Sequence, residues 1–214
     1  MLSKRLLAST KYLNGFNCLA DCGTDHGYLP IYAVKHNLVK KAIASDNKLG
    51  PLENAKKNIL EHGLDIVTIL ADGVPYLNEE IDLLSILGMG GRLIKSILNE
   101  ADLSHLKRLV LSPNSEAYVV REYLQNNNFM IVDEEIVKDK HKYYQIIVAE
   151  PGKMVLSDIE KEFGPLIIQK QSNEFKAFIA GLINQLEEAV SNVIDEDKKE
   201  SIILRIKELK EVIS

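Results

Sequence analysis

At 214 residues, with 46% hydrophobic and 27% charged residues, the chain has the length and balance of one globular domain plus an appendage. A net charge of −5 excludes a generally polyanion-binding surface, so any nucleic-acid contact has to be a local basic patch. No apolar run approaches the ~18 residues that span a bilayer, and the opening Met1-Leu2-Ser3-Lys4-Arg5 lacks the apolar core of a signal peptide; a cytoplasmic protein with no membrane partner is the expectation.

Residues 3–13 predict a short amphipathic helix with Leu6, Leu7 and Leu13 on one side and Lys4, Arg5 and Lys11 between them. A regular alternation follows. Apolar runs at 17–21, 41–45, 66–70, 82–87 and 109–112 have the character of buried parallel strands, and helical segments at 28–36, 51–61, 92–99 and 116–126 separate them. Pro30 and Pro51 sit near first-turn positions, where a missing N–H costs nothing. This order predicts an α/β fold with a doubly wound, mainly parallel sheet. The next two strands, 130–137 and 143–149, are joined by the polar turn Lys138-Asp139-Lys140-His141-Lys142 and read as an antiparallel hairpin. A parallel sheet ending in such a hairpin is the arrangement of class I methyltransferases rather than of dinucleotide dehydrogenases.

Cys18 and Cys22 fall on the first strand about 13 Å apart, too far for a disulfide. With no histidine at ligand spacing, they predict two buried thiols and no metal site. Pro151-Gly152 closes the sheet, giving a first domain at 1–152 and a helical one at 153–214. In the second, a short helix near 157–163 leads into two stripes. One runs through Phe175, Phe178, Ile179, Leu182, Ile183, Leu186, Val190 and Val193, the other through Ile202, Ile206, Leu209 and Ile213. They predict a coiled-coil-like helical hairpin with Asp195-Glu196-Asp197 capping its second helix. Packing of the two stripes on each other is the expected outcome, with dimerisation or docking on a partner as the alternatives, which leaves monomer and weak dimer both open.

The turn after the first strand, Asp21-Cys22-Gly23-Thr24-Asp25-His26-Gly27, carries the first functional signal. Its glycines let a backbone approach a ligand at a helix N-terminus. Asp21 and Asp25 would repel a pyrophosphate and suit a sulfonium bearing an ammonium group, so the loop favours S-adenosylmethionine over a nicotinamide dinucleotide. Asp46, ending the second strand beside Asn47, is placed for ribose hydroxyls, and Asp72-Gly73, after the third, for an adenine amino group. Gly23, Thr24, Gly27, Gly88 and Met89 complete the expected cofactor set.

Asp21 to Pro30, together with Gly50-Pro51-Leu52, Gly88-Met89-Gly90-Gly91, Ser112-Pro113-Asn114 and the opening Leu2-Ser3-Lys4-Arg5-Leu6, resembles the bacterial tRNA (adenine(22)-N1)-methyltransferase family over nearly the whole chain. The resemblance implies methyl transfer to N1 of an adenine in the D-arm region of tRNA, a Rossmann-like N-terminal domain, and a helical C-terminal domain that helps hold the tRNA. Gly88-Met89-Gly90-Gly91 lacks the acid or Asn, prolines and aromatic with which many amine-methylating relatives grip a planar amine, and this departure fits a ring nitrogen. Asn114, Asp25, His26 and Tyr28 are the candidates to hold the target base; His26 equally serves as a loop hydrogen bonder, and Tyr28 as a stacking or a packing ring. Phosphate contacts are expected from Lys4, Arg5 and Lys11, from Arg92 and Lys95, and from Lys138, Lys140, His141 and Lys142, with Arg5 also placed to reach a cofactor carboxylate. The segment after Lys153 has more acids than bases and is no polybasic arm. Against this reading stand a methyltransferase for another RNA or a small molecule, a non-catalytic adaptor that keeps the fold, and, more distantly, a nicotinamide-dependent oxidoreductase.

Overall fold

The computed structural model describes residues 2–191 and 193–214; Met1 of the opening segment and Asn192 lie outside the described residues. The predicted strands assemble into one seven-stranded sheet in the order β3-β2-β1-β4-β5-β7-β6. Its strands are β1 (Phe16–Cys22), β2 (Val39–Asp46), β3 (Val67–Leu70), β4 (Leu83–Leu87), β5 (Arg108–Ser112), β6 (Phe129–Asp139) and β7 (Lys142–Pro151). The first five pair in parallel, while β7 pairs antiparallel with both β5 and β6.

The sheet is covered on both faces, and strand alternation sorts the side chains. Cys18, Ala20, Leu84, Ile86, Leu109 and Leu111 face one core, with Ile94, Ile97 and Leu98 of α4 (Gly91–Asn99) and Val120, Tyr123 and Leu124 of α5 (Ala117–Asn126). Leu19, Leu83, Leu87 and Val110 face the other, with residues of α1 (Lys4–Ser9), α2 (Tyr28–Lys35) and α3 (Leu49–Glu61). Each leucine, isoleucine or valine among them taken from water contributes about 1.5–3 kcal/mol.

Four expectations change in detail. The N-terminal helix stops at Ser9 and continues as a 3-10 turn, Thr10–Tyr12. β3 is not buried: Val67 and Leu70 are exposed because β3 is an edge strand, with a neighbour on one side only. The hairpin turn contracts from five residues to Lys140-His141, since Lys140 adopts a left-handed φ of 56° and Asp139 pairs directly with Lys142. An unpredicted helix, α7 (Pro165–Lys170), follows α6 (Asp158–Phe163), with Gly164 at φ 95° making the corner.

The long helices α8 (Asn173–Val190) and α9 (Glu196–Val212) pack on each other, and Asp195 caps α9 by accepting from the Lys198 amide at 3.1 Å. Their stripe also meets the sheet: Phe175, Ile179, Ile183, Ile206 and Leu209 share a core with Phe163, Ile167 and Ile136 of β6. Beneath that core lies a fully buried ion pair, Arg121–Glu134, at 2.7 Å. Arg121 also donates to the last carbonyls of α6, at Lys161 and Glu162, and to Gln145, while Glu134 accepts from the Leu166 amide at the start of α7. The cation thus meets a helix C-terminus and the anion a helix N-terminus, the favourable sign at both ends.

Asp82 ties together the starts of the central strands β1, β4 and β5. Its carboxylate accepts from the Asn17 and Cys18 amides at 2.9 and 3.0 Å and from Lys107 Nζ at 3.2 Å. Burial pushes this carboxyl up, but the two amides and the ammonium outweigh it and hold it below the usual carboxylate range. Its contribution is therefore fully present above the unfolded pKa of about 3.9 and lost as pH falls through the lower folded value. Asp82→Asn is expected to cost about 2 kcal/mol in urea unfolding at pH 7, with the difference from wild type shrinking towards pH 2.

Candidate active site

β1 is the strand at which the chain reverses its direction of winding, with β2 on one side and β4 on the other. A crevice opens at the carboxyl ends of such strands, and here it is filled by the loops that follow β1, β2, β3 and β4. It has two adjoining compartments. The first, about 260 Å³, has Asp46, Asn47, Asp72 and Gly73 on one side and Met89, Leu93 and Ile97 on the other. The second, about 210 Å³, is lined by Arg5, Asp21, Thr24, Asp25, His26 and Tyr28. Gly23, Asp25, Leu87 and Gly88 border both.

The loop after β1 takes its shape from left-handed residues: Gly23, Asp25 and Gly27 have φ of 75°, 52° and 70°. The Gly23 and Thr24 amides both donate to the Ser45 carbonyl, at 2.9 and 2.8 Å, folding the loop towards the end of β2. A Cβ on Gly23 would overlap the Met89 methyl where the two compartments meet, and its left-handed φ of 75° favours glycine in any case. Gly27 lets α2 approach α3, whose Ala55 Cβ would lie 3.2 Å from an added Cβ.

Asp46 reaches back under this loop, accepting from the Asp25 amide at 3.3 Å and from the Lys48 amide at 3.0 Å. Asn47 donates to Asp72 at 3.3 Å, so the acids after β2 and β3 are joined through one amide. Asp21 is buried and accepts from Ser85 Oγ at 2.6 Å; burial raises its carboxyl against the pull of that hydroxyl. Burial, with Asp21 nearby, pushes the Cys22 thiol up to about 12, which keeps it protonated and no nucleophile. Cys18 is likewise a free buried thiol. Among the described residues no group of three or more His, Cys, Asp or Glu side chains is placed to hold a metal ion.

The candidate base-holding residues divide. Asp25, His26 and Tyr28 stand together at the second compartment: His26 Nε2 is 3.6 Å from Asp25, and its ring stacks on Tyr28 at 5.3 Å. Asn114 lies two residues beyond β5, and both ends of its amide are engaged within the protein. Its Oδ1 accepts from Arg5 at 2.8 Å, and its Nδ2 donates to the Gly88 carbonyl. Arg5 lies over the Tyr144 ring at 4.7 Å and against Gly88, on the inner wall of the second compartment rather than on the outer surface. Sequence reasoning named Arg5 and Asn114 separately and missed this contact, which spans 109 positions; it also missed Ser85 under Asp21 and the apolar wall of Leu93 and Ile97. The half-exposed Leu93 on an otherwise amphipathic helix is the signal that could have found that wall.

The basic candidates fall into two groups. By strand register the hairpin turn projects beyond the end of β5 that meets the crevice, carrying Lys138, Lys140, His141 and Lys142. Helix α1 packs against this hairpin, the Lys4 amide donating to Asp139 at 3.1 Å and Lys11 pairing with Glu135. Lys138 lies over the Tyr143 ring at 5.3 Å. Arg92 and Lys95 are on α4, across the crevice, with Arg92 paired to Glu116 at 2.7 Å.

Comparison with known proteins then adds four findings. Residues 19–214 match the family model for tRNA (adenine(22)-N(1))-methyltransferase. The chain is 32% identical to the tRNA (adenine(22)-N(1))-methyltransferase of Bacillus subtilis, over 99% of this chain and 97% of that one. Among solved structures it is similar to a Streptococcus pneumoniae protein presented as a candidate tRNA (m1A22) methyltransferase in complex with S-adenosyl-L-methionine, at TM-score 0.92 and 35% identity with both chains covered in full. It is also similar to M. capricolum TrmK in complex with the cofactor product S-adenosyl-homocysteine, at TM-score 0.88 and 30% identity over 100% and 98% of the two chains.

Proposed function

The chain belongs to the tRNA (adenine(22)-N(1))-methyltransferase family, and from that premise we propose that it transfers a methyl group from S-adenosyl-L-methionine to N1 of adenine 22 in the D-arm region of bacterial tRNA. The observation that carries this reading is the pair of compartments meeting at Gly23 and Gly88: one for the cofactor, one for a planar base. The first fits the cofactor. It has carboxylates at two successive strand ends, an apolar wall for a ring, and at its border a glycine, Gly23, where a side chain would collide with Met89. Asp46 and Asn47 would hold the ribose, Asp72 and Gly73 the adenine, and Asp21, Gly23, Thr24, Gly27, Gly88 and Met89 the remainder. When bound, the cofactor supplies an electrophilic methyl group.

The second compartment would take the target adenine. Its N1 carries an in-plane lone pair, so the protein has to position and desolvate it rather than remove a proton from it. Tyr28 and His26 offer stacked ring faces to the base. Asp25, exposed beside them, is an anion suited to the positive charge that methylation leaves on the ring. Asn114 acts on this reading as a positioning residue: through Arg5 and Gly88 it fixes the β4–α4 loop against α1.

The target adenine has to leave its stack to enter, and tRNA phosphates would be met by Lys4, Lys138, Lys140 and Lys142 on one bank and by Arg92 and Lys95 on the other. Residues 1–152 form the catalytic domain in this reading and 153–214 a helical aid to tRNA binding, held to the sheet through Arg121 and Glu134. Among the described residues no helix is long and apolar enough to cross a membrane, and with tRNA as substrate we assign the protein to the cytoplasm.

The test is primer extension on unmodified tRNA incubated with protein and S-adenosyl-L-methionine. N1 methylation blocks Watson–Crick pairing, so a new stop is expected at the D-arm adenine. Absence of that stop, with cofactor binding demonstrated by calorimetry, would sink the assignment.

A further inference from the structure

Outside the two compartments, the outer face of α2 carries a groove of about 370 Å³ that the reading above leaves unused. Tyr28, Tyr32 and His36 recur at four-residue intervals and so share one face of the helix. The Tyr32 and His36 rings stack at 4.0 Å, and the His26 and Tyr28 rings at 5.3 Å. Leu7 of α1 forms the opposite wall, half exposed, with Lys35 and His62 at the rim. Exposed apolar and aromatic surface next to a reaction site marks a binding surface rather than a core.

Three observations choose its occupant. Although the chain as a whole is acidic, the described residues lining this groove include no carboxylate, while Lys35, His36 and His62 are bases. Lys35 enters no ion pair among the described residues, so its charge is open to a partner. The groove also adjoins the second compartment, since Tyr28 lines both. Flat ring faces with a lysine at the rim and no competing anion are what an unstacked nucleotide strand requires: the rings take base faces and Lys35 takes a phosphate. A protein partner or a second copy could use the rings, but would not require an unpaired lysine beside a compartment sized for a base.

We propose that this groove is a base-stacking subsite that holds the nucleotide flanking the target adenine once the local tRNA stack is opened. This deepens the tRNA methyltransferase reading and rests on it. Pulling one adenine from its stack leaves neighbouring bases without a partner, and a second platform beside the first would replace the stacking they lose.

The test combines Tyr32→Ala, His36→Ala and Lys35→Glu with two tRNA substrates, one intact and one carrying an abasic nucleotide on either side of the target adenine. His36 and Lys35 are exposed, so their variants test the surface without disturbing the core. On intact tRNA each variant is expected to raise KM about tenfold, with the affinity for S-adenosyl-homocysteine unchanged. The wild type is expected to lose as much on abasic tRNA, and Tyr32→Ala to add little to that loss. A KM within twofold of wild type for all three variants overturns the subsite, as does full additivity of the Tyr32 and abasic losses. Variants that dissociate a dimer while keeping the tRNA KM assign the groove to a second copy instead. A wild type inert on tRNA removes the parent reading, whereas an active wild type with unaffected variants removes this inference alone.

Discussion

Replacing Arg121 with alanine is expected to cost about 3–5 kcal/mol of folding stability, the largest loss from any single side chain outside the crevice. The pair it makes with Glu134 has no exposure on either side chain. Water therefore cannot take over when one partner is removed, and burial already pushes the Glu134 carboxyl up against the pull of Arg121. Alanine would also strip donors from the Lys161 and Glu162 carbonyls and from Gln145. Within a total of about 5–15 kcal/mol this is a large fraction, equivalent to a fall in Tm of about 6–20 °C. Because the pair joins α5 and β6 to the α6–α7 corner, limited proteolysis should cut first between residues 153 and 172. Removing both charges with residues of similar volume, Arg121→Met with Glu134→Leu, should cost less than Arg121→Ala alone, since the penalty comes chiefly from the orphaned charge. Gly164 belongs to the same knot. A Cβ there would lie 2.5 Å from Glu134 Oε2 at a φ of 95°, so Gly164→Ala should loosen the same corner. A double variant as unstable as the single one would show that the pair does not act in this way.

What the sequence discloses and what it hides both follow from the range of the interactions. Strand alternation and helix spacing are local, so the sheet, its closing hairpin and the helices at 28–36, 51–61 and 92–99 are legible with ends displaced by one or two residues. The cofactor loop is legible for the same reason: positive-φ glycines and strand-end acids are short-range signals. Glu134 is a different case. Strict alternation after Ile131 would put residue 133 on its face, but a bulge sets Ile131 and Asp133 against the adjacent Ala149 and Val148, and the phase shifts so that Glu134 is buried instead. Nothing in the run of residues announces that shift, nor that the partner would be Arg121 on the preceding helix. Arg5 and Asn114 are similar. Each looks like a solvent- or ligand-facing group in its own segment, and only the packing of α1 against the hairpin brings the guanidinium to the amide. α7 was missed because six residues between Gly164 and the left-handed Gln171 are too few to show a helical period.

The second large effect is expected at Asp46, where alanine should weaken S-adenosyl-homocysteine binding by about a hundredfold or more. Two hydrogen bonds from ribose hydroxyls to a carboxylate contribute about 1.5–3 kcal/mol each, and every 1.4 kcal/mol is tenfold in Kd. Asp46 has a second duty that deepens the loss. It accepts from the Asp25 and Lys48 amides, so its carboxylate also holds the loop after β1 and the entry to α3 in place. Asp46→Asn separates the two: one amide oxygen can still accept a loop N–H, whereas the charge and one acceptor facing the ribose are gone. An intermediate Kd is expected for asparagine. Asp72→Ala should weaken binding by only about tenfold, because it removes a single acceptor for the adenine amino group, and Asn47 would then lose its own partner without loss of the β2 loop. Calorimetric titration of the three variants with S-adenosyl-homocysteine ranks them directly. Thermal unfolding without ligand serves as the control, since neither Asp46 nor Asp72 lies in a hydrophobic core. A Kd for Asp46→Ala within threefold of wild type would move the ribose elsewhere in the crevice. A larger loss for Asp72→Ala than for Asp46→Ala would reverse the orientation assigned to the cofactor, putting the adenine beside β2 and the ribose beside β3.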